Sequence, residues 1–237
     1  MFKGFRIQNL ARILVFLILL GVKTSIAADL SQNKGTVTYT ESSEMTFEQL
    51  KTELVVYQND HSISGLFTQN KWIKELKLNL KSEGSFRVIQ QKNKPAFIVW
   101  NILKPDILNV CISGSELYIK TMNMNKSEII QQNLSDIEAS DPTGMAKLHA
   151  LIVIDPETIY KKFKVSKSKN TLILKNKDLK DGLGQIKLTL NNQKIIQTVE
   201  VVEVGDDKLT INFLKIKKEK VSQSAANEMK CDDILKK

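Results

Sequence analysis

The sequence predicts an α+β protein built on a strongly curved antiparallel sheet, with helices packed on its concave side or across its mouth. Three observations carry this. Short segments that alternate apolar and polar residues recur along most of the chain, as expected of a sheet with one dry face, because successive strand side chains point to opposite sides. Helical spacing occurs in only a few places, each opened by a capping residue. Only 10 glycines and 4 prolines occur in 237 residues, and no linker divides them, so residues 28–220 read as one domain.

The elements follow in order. Lys3, Arg6 and Arg12 precede the uncharged run Ile13 to Val22, and Ser25-Ile26-Ala27 follows it. This is the layout of an export signal with an apolar segment too short to span a bilayer. Residues 1–27 are therefore expected to be a signal peptide, cleaved after Ala27 or Ala28. An uncleaved anchor is the alternative. No cysteine follows the apolar run to accept a lipid. The chain is expected to be exported.

After a polar leader, Thr46 reads as an N-cap with Gln49 completing a capping box. Phe47, Leu50, Leu54 and Tyr57 then recur at helical spacing, predicting a helix to about Asn59. Strand patterns follow at Ser64 to Asn70 and Leu76 to Leu80, then on Phe86, Val88 and Gln90. Phe97 to Trp100, Leu108 to Ile112 and Leu117 to Ile119 continue the meander. Asp141-Pro142 opens a helix carrying Met145, Leu148, His149, Leu151 and Ile152. Asp155-Pro156 opens a second, with Ile159, Tyr160 and Phe163 as its apolar side. Strands return at Thr171 to Leu174, Ile186 to Leu190, Ile195 to Val204 and Leu209 to Ile216, with Asp206-Asp207 in a hairpin turn. Residues 221–237 read as a polar tail, frayed or peripheral.

Composition narrows the chemistry. Of the formal charge of +9, four positive charges lie within residues 1–27, which leaves a modest excess on the exported chain. The densest basic run, Lys215 to Lys220, reads as a solubilising chain end or a contact for anionic headgroups. Arginines and aromatics are not interleaved, so nucleic acid is not an expected partner. Cys111 and Cys231 either form a disulfide or remain a buried strand thiol and a free tail thiol; a bridge would close a long loop and contribute about 4 kcal/mol. His61 and His149 are the only histidines, and neither sits at ligand spacing, so no metal and no cofactor is expected. Ser113-Gly114-Ser115 lacks the glycines of a nucleophile elbow. No nucleophile, base and orienting group can be named together, and the chain is not read as an enzyme.

What remains is the alternating apolar face, and there the residues resemble a family. "GLFTQNKW" (Gly65 to Trp72), "SEGSFRV" (Ser82 to Val88) and "FIVWNILKPDILNVCISGSELYI" (Phe97 to Ile119) follow the pattern of the periplasmic outer-membrane lipoprotein carriers, the LolA family. The matching residues are Phe67, Gln69, Gly84, Phe86, Trp100, Pro105, Gly114, Leu117 and Tyr118.

The resemblance implies a half-open β-barrel with helices packed in or over a hydrophobic cavity, acting as a monomer. Such carriers take the acyl chains of a lipoprotein from an inner-membrane ABC transporter, shield them, and deliver them to an outer-membrane acceptor. Burying acyl chains needs an apolar chamber, at about 0.8 kcal/mol per methylene. On this reading Phe86, Val88, Trp100, Leu108, Val110, Ile112, Leu117, Ile119, Leu188, Leu190, Val199 and Val201 are cavity-wall candidates; simple core packing is the competing role for each. Gln90, Leu148, Leu151 and Ile152 are candidates for gating the lid.

Two departures stand out. Gln90 occupies the place where the family carries an inward arginine, Arg87 has the wrong parity for that role, and Lys92 to Pro95 look inserted. The family's Phe-x-Phe-x-x-Pro ending is absent after Ile216. Alternatives to a carrier are a LolA-like regulator that senses lipid or lipoprotein, and a structural envelope protein with a filled core.

Overall fold

The structure, a computed structural model, describes residues 43–91, 94–123, 126–133, 155–178, 183–221 and Cys231. The expected signal peptide, the helix expected after Asp141 and most of the expected tail lie outside these residues.

Chain entry is fixed by a helix, α1 (Phe47–Glu53), followed by a 3-10 turn (Val55–Tyr57). The Thr46 capping box is present: Gln49 N–H donates to Thr46 Oγ1 at 3.3 Å, and Thr46 N–H donates to Gln49 Oε1 at 2.8 Å. The helix stops short of the expected Asn59. Val55 and Val56 are β-branched and poor helix formers, and burying Tyr57 wins: its hydroxyl oxygen accepts Ile196 N–H at 2.7 Å, pinning the turn to the sheet.

Eleven strands follow: β1 (His61–Ile73), β2 (Leu78–Gln90), β3 (Phe97–Lys104), β4 (Leu108–Ser113), β5 (Glu116–Asn123), β6 (Lys126–Asn133), β7 (Phe163–Ser168), β8 (Thr171–Asn176), β9 (Leu183–Leu190), β10 (Ile196–Glu203) and β11 (Lys208–Glu219). They form one antiparallel sheet in the order β6-β5-β4-β3-β2-β1-β11-β10-β9-β8-β7. Two meanders are thus stitched by the pairing of the first strand with the last, and the sheet is curved and unclosed, with β6 and β7 at its edges. The α+β half-open architecture holds.

Several elements differ from the sequence reading. β1 begins at His61, making that histidine a strand residue rather than a helix end. Leu76 sits in the β1–β2 turn and is exposed; β2 begins at Leu78. β6 and β7 were not anticipated, and Phe163 opens β7 instead of closing a helix. The basic run Lys215 to Lys220 is no chain end: β11 carries it to Glu219, where Lys217 pairs with Ser64 and Lys218 with Ile63.

The second described helix, α2 (Pro156–Lys162), starts as its sequence predicts. Asp155 accepts from Thr158 N–H at 2.9 Å and from Glu157 N–H at 3.3 Å, with proline at the first helical position. Ile159 is buried, whereas Tyr160 is partly exposed and packs on Phe47 of α1 with ring centroids 5.4 Å apart. A backbone bond from Met45 N–H to the Val165 carbonyl, 2.7 Å, lays the chain entry along β7.

Candidate functional site

The concave face is set by parity. On β1 the inward residues are Ile63, Gly65 and Phe67; on β2 they are Gly84, Phe86 and Val88; on β3, Ile98, Trp100 and Ile102; on β4, Leu108, Val110 and Ile112; on β5, Leu117 and Ile119. Four aromatic rings meet at its centre. Phe67 stacks on Trp100 at 4.1 Å, Phe86 lies 4.8 Å from Phe213, and Phe213 meets Trp100 edge-on at 6.0 Å. Such offset and edge contacts suit ring quadrupoles.

Glycine makes this cluster possible. A Cβ at Gly84 would lie 1.9 Å from the Asn101 carbonyl oxygen and 2.9 Å from the Phe67 ring. Only a residue without a side chain lets β2, β3 and the Phe67 ring meet there. Gly65 is similar, with Leu214 O 2.7 Å from an ideal Cβ. The short motifs are therefore parts of one packing unit; Pro105, after a cis Lys104–Pro105 bond, and Gly114, at φ +61, turn the strands that carry it.

All twelve wall candidates fall in a single apolar cluster. They are not equivalent within it. Leu188 is fully buried, Val201 is 2 % exposed, and both are packed among Leu172, Leu174 and Ile186, each at 0 %. Val88, Trp100 and Val110 are only partly buried, as are Ile130, Phe213 and Ile216 beside them. Phe67 and Phe213 were missed as wall residues, although each falls on an inward position of an alternating strand. Leu148, Leu151 and Ile152 lie outside the described residues.

Polar groups bound this apolar band at both ends. At one end Lys71, buried on β1, pairs with Glu203 at 3.5 Å. At the other, His61 and Gln90 are directly paired across β1 and β2. The ten residues from His61 to Lys71 correspond to about 33 Å of strand. Burial holds the His61 imidazole below its usual pKa, disfavouring the charged ring. Next to Gln90 opens a cavity of about 260 Å³ lined by Tyr57, Gln58, Gln90, Gln91, Lys94, Asp155 and Pro156. Burial also raises the Tyr57 hydroxyl pKa, so it stays a neutral donor.

The convex face has a separate apolar patch. Ile89, Phe97, Val99 and Cys111 point outward there, and Cys231 joins them through a disulfide to Cys111, with Cα atoms 5.6 Å apart. The C-terminal segment is thereby fastened at Cys231 to the back of the wall. Arg87 also points outward, its Nε donating to Ser62 Oγ at 3.2 Å, so it does not reach the concave face. Among the described residues no group of three or more His, Cys, Asp or Glu side chains is placed to hold a metal ion. No described helix is long and apolar enough to cross a membrane.

Comparison with known proteins bears on this wall. No curated protein matches the chain. Among solved structures, MucB of Pseudomonas aeruginosa in its complex with MucA aligns at 9% identity and a TM-score of 0.45, covering 76% of this chain and 59% of that one. This chain thus spans about three fifths of the MucB length. A putative outer membrane lipoprotein-sorting protein domain from Vibrio parahaemolyticus aligns at 8% identity and a TM-score of 0.41, over 81% of this chain and all of that one. A LolA superfamily protein from Nitrosomonas europaea aligns at 10% identity and a TM-score of 0.33, over 76% and 96%. The family model described as outer membrane lipoprotein carrier protein LolA matches residues 58–226, which include every described strand. With its curved open sheet and its Gly84-centred aromatic unit, the chain belongs to the LolA family.

Proposed function

We propose that this protein binds the acyl chains of lipoproteins against its concave apolar wall and carries them through the periplasm, from an inner-membrane ABC transporter to an outer-membrane acceptor. One observation carries the reading: a continuous apolar face bears large residues, Trp100, Val110 and Phe213 among them, that the fold leaves partly exposed. A filled core hides such groups, since each exposed methylene forgoes about 0.8 kcal/mol. Acyl chains laid on Phe86, Val88, Trp100 and Val110 recover that energy reversibly.

The cavity wall is Phe86 to Ile119 on β2 to β5. Leu188, Leu190, Val199 and Val201 serve as its packed foundation. Binding requires no cofactor and no catalytic group. Residues 1–27 act as the export signal, and residues 28–220 form the single carrier domain.

The test is release of a radiolabelled lipoprotein from spheroplasts with and without the purified protein. Release into the supernatant in a stable complex supports the carrier. Absence of release removes it. Binding of lipoprotein without subsequent transfer to outer-membrane vesicles favours a sensing regulator instead, a role compatible with Gln90 replacing the family's arginine.

A further inference from the structure

The apolar wall leaves one feature of β1 and β2 unexplained. Two buried side-chain atoms at their rim end have no hydrogen-bond partner, His61 Nε2 and Gln90 Oε1. These residues are cross-strand partners on the concave face, and His61 also packs edge-on against Tyr57 at 5.8 Å. The His61 Nδ1 lies against the Asn59 carbonyl oxygen, which can only accept, so Nδ1 carries the ring proton. In the neutral ring, Nε2 is then an acceptor. Of the two residues Gln90 lines the adjoining cavity, and its unmatched carbonyl oxygen calls for a ligand that donates.

The adjoining cavity, about 260 Å³, extends this demand. Gln91 lines it at 8 % exposure. Tyr57 lines it too; its oxygen already accepts the Ile196 N–H, leaving the hydroxyl proton to donate. Lys94 and Asp155 complete a polar lining beside the strand that bears Phe86 and Val88.

We propose that this pocket holds the backbone amides of the peptide attached to an acylated residue, while the acyl chains lie on the apolar wall. The proposal rests on the acyl-binding reading above. An ester or a hydrocarbon offers no N–H and leaves Gln90 Oε1 unmatched. An amide supplies both N–H and C=O, and so satisfies Gln90 whichever way its own amide is turned. The pocket thus selects acylated peptide over bulk membrane lipid, since a buried polar group left unmatched penalises the wrong ligand.

The test compares an N-palmitoyl tripeptide with methyl palmitate as competitors of an apolar fluorescent dye. Wild-type protein should bind the tripeptide about tenfold more tightly. Gln90→Met, which keeps the volume and removes the polar atoms, should bring the two probes to within about twofold without changing methyl palmitate. His61→Phe, outside the cavity lining, serves as the control and should leave the preference intact. Equal wild-type affinities for both probes overturn the amide site while leaving acyl binding intact. A preference undiminished in folded Gln90→Met overturns it as well. If neither probe displaces the dye, the acyl-binding reading itself falls.

Discussion

The β7–β10 half and the β2–β5 half of the sheet are written in the same alternating code, yet they end up differently. Leu172, Leu174, Ile186 and Leu188 have no exposed surface, and the buried cluster they share includes Leu50 and Leu54 of the chain-entry helix. Across β1, Val88, Trp100 and Val110 keep part of their surface. The same pattern yields a sealed core in one half, and in the other a face where Leu108, Ile112 and Leu117 are buried but Val88, Trp100 and Val110 stay partly exposed. A dry strand face is thus necessary for a chamber and insufficient for one; what covers the face decides.

Four measurements break or sharpen that contrast. The largest effect belongs to Gly84→Ala, where the new Cβ meets the rigid Asn101 carbonyl; urea unfolding should show a loss of about 4 kcal/mol or more. A loss near that of an ordinary exposed strand glycine would show that the aromatic unit is looser than drawn. Next is the double variant Cys111→Ser with Cys231→Ser. The bridged residues are 120 apart, so removing the bond should cost about 4 kcal/mol, and a reductant should do the same to the wild type.

The third measurement sets the halves against each other. Leu188→Ala should destabilise by about 3 kcal/mol. Trp100→Ala, from a half-open site, should cost about 1.5 kcal/mol despite deleting more atoms, and should weaken binding of an apolar dye. Equal stability losses with unchanged dye binding would make the whole sheet one filled core. The smallest effect is with pH. The folded His61 pKa is lowered from 6.5 by burial, so the folded protein binds that proton less readily than the unfolded chain. The stabilisation is complete above 6.5 and declines as pH falls below it. Thermal melts should show the wild type losing stability relative to His61→Phe as pH falls below 6.5.

Caps and alternation were legible because each is local. Thr46 with Gln49, and Asp155 with Pro156, announce their helices from adjacent residues, and the inward parity of β2 to β5 can be counted from Phe86 alone. β6 could not be found this way: "KSEIIQQN" holds only two apolar residues, side by side, and owes its place to pairing with β5. β7 was hidden because it follows α2 with no turn residue between them. His61 and Gln90 were each noted in the sequence, but their juxtaposition depends on register across a hairpin, and the unmatched atoms depend on burial. The disulfide was one of two open alternatives, and only the fold brings Cys231 to Cys111 across 120 residues.

One consequence concerns the two end strands of the sheet. In a closed barrel, strand number and stagger fix the diameter, and widening it means breaking ladder bonds. Here β6 and β7 end the sheet without meeting, so every ladder from β6 round to β7 survives a change in curl. The girth of the trough is a soft coordinate, set by twist and not by bonding. A sheet of this kind can widen or narrow its trough at the expense of bending alone.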